Sequence, residues 1–210
     1  MAKKTGDTIF TTNEVRLSYL KAHTPEQKKD QAGNKVVDDN GQPVMQYSVA
    51  VIVKKTDTQT LALIDECMRA AAKLKFGDRV PATWKKGLRD GDTDPAALID
   101  PLDEKKGRKP ELIGCVWFNA TSQQKPDVFS TEKDEFATSG HGFKALGKNE
   151  IKSGDYARVQ VAAYGFDVPQ NKGVAFGIRA IQKLRDGEAL GGGGVDYDAF
   201  SDEEAADAFS

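Results

Sequence analysis

Cysteine and histidine are scarce in these 210 residues, with two of each: Cys67, Cys115, His23 and His141. That scarcity excludes disulfide scaffolds and zinc modules, which need repeated Cys or His at fixed spacing. Both cysteines sit in apolar runs and are expected as reduced core residues. Long hydrophobic stretches are missing too. None reaches the roughly 20 residues of a membrane-spanning helix, and the start, MAKKTGDTIF, has no signal-peptide core. A cytoplasmic protein without membrane contact is expected. No nucleophile elbow, zinc-ligand cluster or paired-carboxylate signature accompanies the histidines, so the reading is a non-enzyme without cofactor or metal.

Net charge is also small, at -2, but it is unevenly spread. Residues 196–210 (DYDAFSDEEAADAFS) hold six acids and no Lys or Arg, which leaves 30 basic and 26 acidic groups on residues 1–195. A mildly basic body with an acidic tail fits a polyanion-binding surface that carries its own anionic competitor. The glycines at 191–194 form a flexible joint between the two. Two units follow: residues 1–190 as a folded domain, and 191–210 as joint and disordered tail.

The body reads mainly as strands. Residues 155–167 (DYARVQVAAYGFD) alternate in the period of a half-buried strand, and 174–184 (VAFGIRAIQKL) are β-branched and aromatic; with turn residues Pro169, Asn171, Lys172 and Gly173 between them, they form a long antiparallel hairpin. One face of it is apolar and the other carries Arg158, Arg179 and Lys183. Residues 13–23 form an earlier strand with a partly basic polar side. Residues 35–55 contain a second hairpin turning at 38–41 (DDNG), with 45–53 as its better strand. Residues 112–122 return as a buried strand that sets Trp117 and Phe118 on opposite faces, and 125–130 form a short edge piece.

One helix is expected, over residues 56–76. Thr56 and Gln59 have capping-box spacing; Leu61, Ile64, Met68, Ala71 and Ala72 repeat at helical spacing, and Gly77 supplies the stop. Residues 77–111 are broken by prolines and read as an inserted set of loops. Strands paired by turns with a single helix between early and late strands point to a five-stranded antiparallel barrel of OB type, capped by that helix.

Two motifs fail on inspection. Residues 142–148 (GFKALGK) match most of a phosphate-binding loop, but Asn149 stands where a magnesium-binding hydroxyl belongs. Asp90, Asp92 and Asp94 open like a calcium loop, yet Pro95 and Pro101 occupy the positions that need glycine and a bidentate glutamate.

What remains is an interleaving of rings and cations. Trp84 with Lys85, Lys86 and Arg89, Trp117, Phe143 with Lys144, and Tyr156 with Arg158 are combinations that bind single strands, because every base offers a face to an aromatic and every nucleotide a phosphate to a cation. By strand parity Tyr164 shares the Arg158 side. Lys54 and Lys55, ending a strand, and Arg179 complete the candidate groove. In the tail, Asp202, Glu203, Glu204, Asp207 and Phe209 form an aromatic-acidic hook for the groove or for a partner.

WKKGLRDGD (84–92), GCVWFNATSQQKPDVFS (114–130), SGDYARVQVAAYGFD (153–167) and KGVAFGIRAIQKLRDGEALGGG (172–193) resemble the bacteriophage single-stranded DNA-binding proteins that have one OB fold and an acidic C-terminal tail. The resemblance runs over most of the chain from about residue 13. It implies sequence-tolerant coating of single strands during phage DNA replication and recombination inside an infected bacterium. It further implies a tail that contacts replication proteins such as polymerase or helicase and competes with DNA; a homodimer is left open. The competing readings are a protein-protein adaptor built on the same barrel and a nucleotide-using enzyme resting on residues 142–148.

Overall fold

The computed structural model describes residues 1–30, 33–78, 84–137, 142–168 and 171–190. The acidic tail, with Asp202, Glu203, Glu204, Asp207 and Phe209, lies outside the described residues, as do the glycine joint, His141 and Pro169.

In chain order the strands are β1 (Lys3–Lys4), β2 (Ile9–Thr11), β3 (Val15–Gln27), β4 (Met45–Lys54), β5 (Lys85–Lys86), β6 (Leu88–Asp90), β7 (Cys115–Ser122), β8 (Asp127–Lys133), β9 (Phe143–Ala145), β10 (Tyr156–Val168) and β11 (Asn171–Arg185), with helix α1 (Thr58–Phe76) between β4 and β5. All eleven belong to one sheet, in which β10, β3, β4, β7 and β11 pair in a circuit that returns to β10. The expectation of five antiparallel strands is corrected on two points. The sheet has six further strands, and β11 runs parallel to β5, β7 and β8. Turn residues reveal hairpin neighbours; parallel neighbours are joined by long connections and leave no local signal.

The expected long hairpin is β10–β11, paired from Tyr156 with Arg185 to Val168 with Asn171. Strand β10 keeps strict alternation, burying Ala157, Val159, Val161 and Ala163, so Tyr156, Arg158 and Tyr164 share its other face. Both register shifts fall on β11: Gln160 opposes Ala180 and Val161 opposes Ile178, which leaves Arg179 unopposed. The second expected hairpin is drawn differently. Its first arm is β3, and the 38–41 turn is the tip of a long β3–β4 connection closed by bridges Lys29–Lys35 and Val37–Pro43. Asp38 holds that turn by accepting from the N–H groups of Asn40 and Gln42, both at 2.9 Å.

Helix α1 begins later than the capping-box spacing implies. Asp57, rather than Thr56, is the cap, its carboxylate accepting from Thr60 N–H at 3.1 Å. The helix ends at Gly77, whose positive φ (60°) a side chain would resist. Thr60, Ile64, Cys67, Met68, Ala71 and Ala72 form its buried face and pack on β10, β11 and β2. They join a core centred on Phe10, Leu17, Phe118 and Phe176, the last two with ring centres 4.3 Å apart. Cys67 and Cys115 are buried free thiols, and burial raises both above the ordinary thiol pKa.

Residues 84–111, expected within the inserted loops, do structural work together with 112–114, which were expected to begin the strand that starts at Cys115. Strand β5 joins β11 and β6 joins β7, and three short 3-10 turns follow. This segment lays Ala97 and Leu112 over the outside of the sheet, against Ile52, Cys115, Trp117 and Leu190, as a second apolar cluster. No helix among the described residues is long and apolar enough to cross a membrane.

Candidate nucleic-acid interface

Register aligns the outward side chains of β3, β4 and β7 in three rows. The first is Arg16–Ile52–Trp117, continued by Tyr156 and Arg185 at one end and by Arg89 at the other. The second is Ser18–Ala50–Asn119. The third is Lys21–Ser48–Thr121, carried across β11 and β10 by Gly177 and Ala162. From first to third row the face spans about 14 Å, at about 3.4 Å per residue.

The first row alternates cations and rings. Tyr156 has the Arg185 guanidinium 3.5 Å from its ring centre and that of Arg16 at 5.7 Å. Arg89 lies 4.9 Å from the centre of Trp117. Half-exposed cations such as Arg185 and Arg89 over a ring add about 0.5–1 kcal/mol, and the same groups can exchange their contacts for a base and a phosphate. Arg185 is held by Glu14 through both carboxylate oxygens, at 2.7 and 3.1 Å; the pairing lowers the Glu14 pKa and raises that of Arg185. Beside this row a cleft of about 510 Å³ is lined by Arg16, Ile52, Lys54, Ile113 and Tyr156, with the carboxylate of Glu14 at its edge. Trp117 is half-buried against the second apolar cluster, and its indole Nε1 is buried without a partner among the described residues.

The other two rows are floored by small side chains. At Gly177 an added Cβ would stand 3.7 Å from the carbonyls of Ala162 and Thr121 and 3.8 Å from a Tyr164 ring carbon, so the Tyr164 ring lies over this glycine. Tyr164 is 45% exposed. Arg179, pushed out by its bulge two residues beyond Gly177, is exposed, and its side chain has no hydrogen bond or ion pair among the described residues.

The structure therefore brings Trp117, Arg89, Tyr156, Lys54, Tyr164 and Arg179 of the expected residues onto one outer face. Others are placed elsewhere or already engaged. Lys55 donates to Asp90 and Asp92, each at 2.7 Å, and so supplies the cation that the calcium-like spacing seemed to want. Arg158 is turned to the N-terminal segment, donating to the carbonyls of Met1 and Thr12. Trp84 packs on the core beside α1 with the Lys86 ammonium 5.9 Å from its ring centre, and Lys85 and Lys86 are exposed on β5. Phe143 stacks on Phe129 with 5.5 Å between centres, under Lys133, while Lys144 faces Glu132 at 3.4 Å; these lie on β8 and β9, at the end of the strand path. Residues 142–148 form β9 and the start of a 3-10 turn, not a strand-loop-helix cradle.

Sequence reading missed Arg16, Ile52, Gly177 and Arg185. Arg16 belongs to a strand whose polar side was already basic, but nothing local said that it aligns with Trp117 two strands away. The C-terminal segment was missed as well. Arg16 donates to the Glu188 and Gly154 carbonyls, Leu190 N–H to that of Ser153, and the Leu190 side chain settles on the second apolar cluster, as Trp117 does. Beneath it Asp155, fully buried, accepts from Lys152 N–H, Gly187 N–H and the Lys183 ammonium. Burial opposes charge on Lys183, yet Asp186 and Asp155 outweigh it and raise its pKa.

Among solved structures, the single-stranded DNA-binding protein of bacteriophage Enc34 in complex with single-stranded DNA superposes with a TM-score of 0.61 at 20% identity, covering 90% of this chain and 96% of that one. A C-terminally truncated form of the same phage protein gives 0.61 at 18%, over 90% and 95%. The bacteriophage T7 single-stranded DNA-binding protein gp2.5 gives 0.51 at 14%, over 98% and 100%. At these identities the likeness is one of fold. No curated protein matches the sequence. A family model described as "Enterobacter phage Enc34, ssDNA-binding protein" matches residues 8–210, nearly the whole chain, and the protein belongs to that family.

Proposed function

We propose that this protein binds single-stranded DNA without strong sequence preference, using the outer face of β3, β4, β7 and β11. The observation that carries the reading is the three-row face itself: a floor of Ser48, Thr121 and Gly177 around the buried Ala50 that lets a strand approach closely, rimmed by Arg16, Arg89, Arg179, Tyr156 and Tyr164. Membership of a phage single-stranded DNA-binding family, and a shared fold with a relative solved in complex with single-stranded DNA, support it. The pairing circuit of β10, β3, β4, β7 and β11 is read as an OB-type barrel, with α1 as its cap.

Rings would stack on bases and cations would meet phosphates, with no covalent step. Of the expected residues, Trp117, Tyr156, Tyr164, Lys54, Arg89 and Arg179 line the proposed path; Trp84, Lys85, Lys86, Phe143 and Lys144 extend it only if the strand wraps further. The role we assign is coating of single strands in phage replication and recombination within the host cytoplasm. Residues 1–190 act as the binding domain and 191–210 as a tail that competes with DNA and recruits replication proteins. Leu190, the last residue before the proposed tail, packs on the same apolar cluster as Trp117.

Titration of oligo-dT and the matching duplex, followed by anisotropy and tryptophan quenching, tests the reading. With about four to six phosphate contacts, log affinity for the single strand falls with log salt at a slope of about -3 to -4. Deleting residues 191–210 leaves binding equal or tighter. Failure of both forms to bind at low salt would remove the DNA reading and favour a protein adaptor.

A further inference from the structure

Tyr19 is the single non-glycine residue with positive φ (47°) among the described residues, and it is 66% exposed. It occupies a bulge: β3 advances three residues from Ser18 to Lys21 while β4 advances two from Ala50 to Ser48. A left-handed conformation is uncommon for a bulky side chain and costs about 1–3 kcal/mol unless the surroundings enforce it. Here they do. Leu17 N–H donates to the Asp155 carbonyl at 2.9 Å, Gly154 N–H to that of Leu17 at 2.8 Å, and Leu20 N–H to the Ser153 hydroxyl at 3.0 Å. The backbone on both sides of Tyr19 is thereby tied to the turn before β10.

Glycine would meet this backbone demand without strain, and the tyrosine gains no packing in return. Its ring makes no aromatic or cation contact among the described residues, and its hydroxyl no hydrogen bond. A large ring carried into solvent on a tied backbone, at a cost to folding, has its use outside the folded chain. Its register position lies between the second and third rows of the small-floored face, next to Lys21 and Ser48.

We propose that Tyr19 is a stacking platform for a nucleobase, at the opposite border of that face from Tyr164. The inference rests on the single-stranded DNA reading and adds a contact to it. The bulge fixes the backbone that carries the ring, so no backbone freedom is lost there when a base settles on it.

The full chain is titrated with oligo-dT as wild type, Tyr19→Gly and Tyr19→Phe, with melting temperatures measured alongside. Tyr19→Gly is expected to melt at the same temperature or higher and to bind about 5- to 150-fold more weakly, as for loss of one stacked base. Its salt slope stays the same, because no charge is removed. Tyr19→Phe binds like wild type. An oligonucleotide carrying iododeoxyuridine is expected to photocrosslink to the peptide that contains residue 19. If wild type binds in a salt-dependent manner and Tyr19→Gly binds equally well, the platform is overturned while the DNA reading stands. If wild type does not bind, both fall.

Discussion

Arg185 sets its guanidinium carbon 3.5 Å from the centre of the Tyr156 ring, while its nitrogens hold Glu14. The cation is close to the proposed path but partly neutralised by that carboxylate. Glu14→Gln removes the competing charge and leaves the Tyr156 contact. Tighter binding to oligo-dT at low salt is expected, with a salt slope steeper by about 0.7 for one added phosphate contact. An unchanged slope would place Arg185 away from the strand.

Gly177 tests the floor of the face. Its first added carbon meets only ordinary contacts at 3.7–3.8 Å, so Gly177→Ala should fold and bind normally. Gly177→Leu would push into the space under Tyr164 and displace a stacked base, at about 1–3 kcal/mol of binding. Equal affinities for the two variants would show that the strand passes elsewhere.

Asp155 is a structural carboxylate. With the residue fully buried and holding Lys183, Lys152 N–H and Gly187 N–H, Asp155→Ala strands two amides and leaves Lys183 to Asp186 and the Glu150 carbonyl. A loss of about 3 kcal/mol is expected, the lower end for breaking a buried pair because Lys183 keeps some solvent contact. Urea unfolding measures it, and an effect below about 1 kcal/mol would be that of an ordinary surface pair.

The Lys55 clamp predicts a pH dependence. The Lys55 ammonium and the Asp92 N–H depress the Asp90 pKa; the Gly114 N–H and then Lys55 depress that of Asp92. Their folded values lie below the unfolded value of about 3.9, so their contribution is complete above that pH and is lost as pH falls through the folded values. Lys55→Met should therefore melt below wild type at neutral pH, with the gap closing in acid. A gap independent of pH would point to lost packing of the lysine stem.

The parts legible in the sequence were those written in local periodicity. The alternation of Ala157, Val159, Val161 and Ala163 specified β10 and the side on which Tyr156 and Tyr164 stand, and the spacing of Ile64, Met68, Ala71 and Ala72 specified α1. Phe118 and Trp117 fell on opposite faces as parity required. The relation of β11 to β7 and β8 was illegible, because parallel pairing over long connections leaves no turn chemistry behind it. So was the alignment of Arg16 with Ile52 and Trp117, which depends on register across three strands. The Tyr19 bulge was hidden for a different reason: a tyrosine in a strand looks favourable by propensity, and only the pairing around it shows that the backbone turns left-handed there. Trp84, Lys55 and Arg158 carried the right chemistry for a groove, yet the fold engages each of them with its own groups.

Strand β11 pairs with four others, β10, β7, β8 and β5, and follows all of them along the chain. During synthesis, those four strands therefore wait with an unmatched edge until residues 171–185 leave the ribosome. Closure is a late and long-range event, of the kind that makes folding slow. A chain interrupted before that point would carry the rings and arginines of β3, β4 and β7 on an open sheet, prone to pair with a second unfinished copy before any nucleic acid is met.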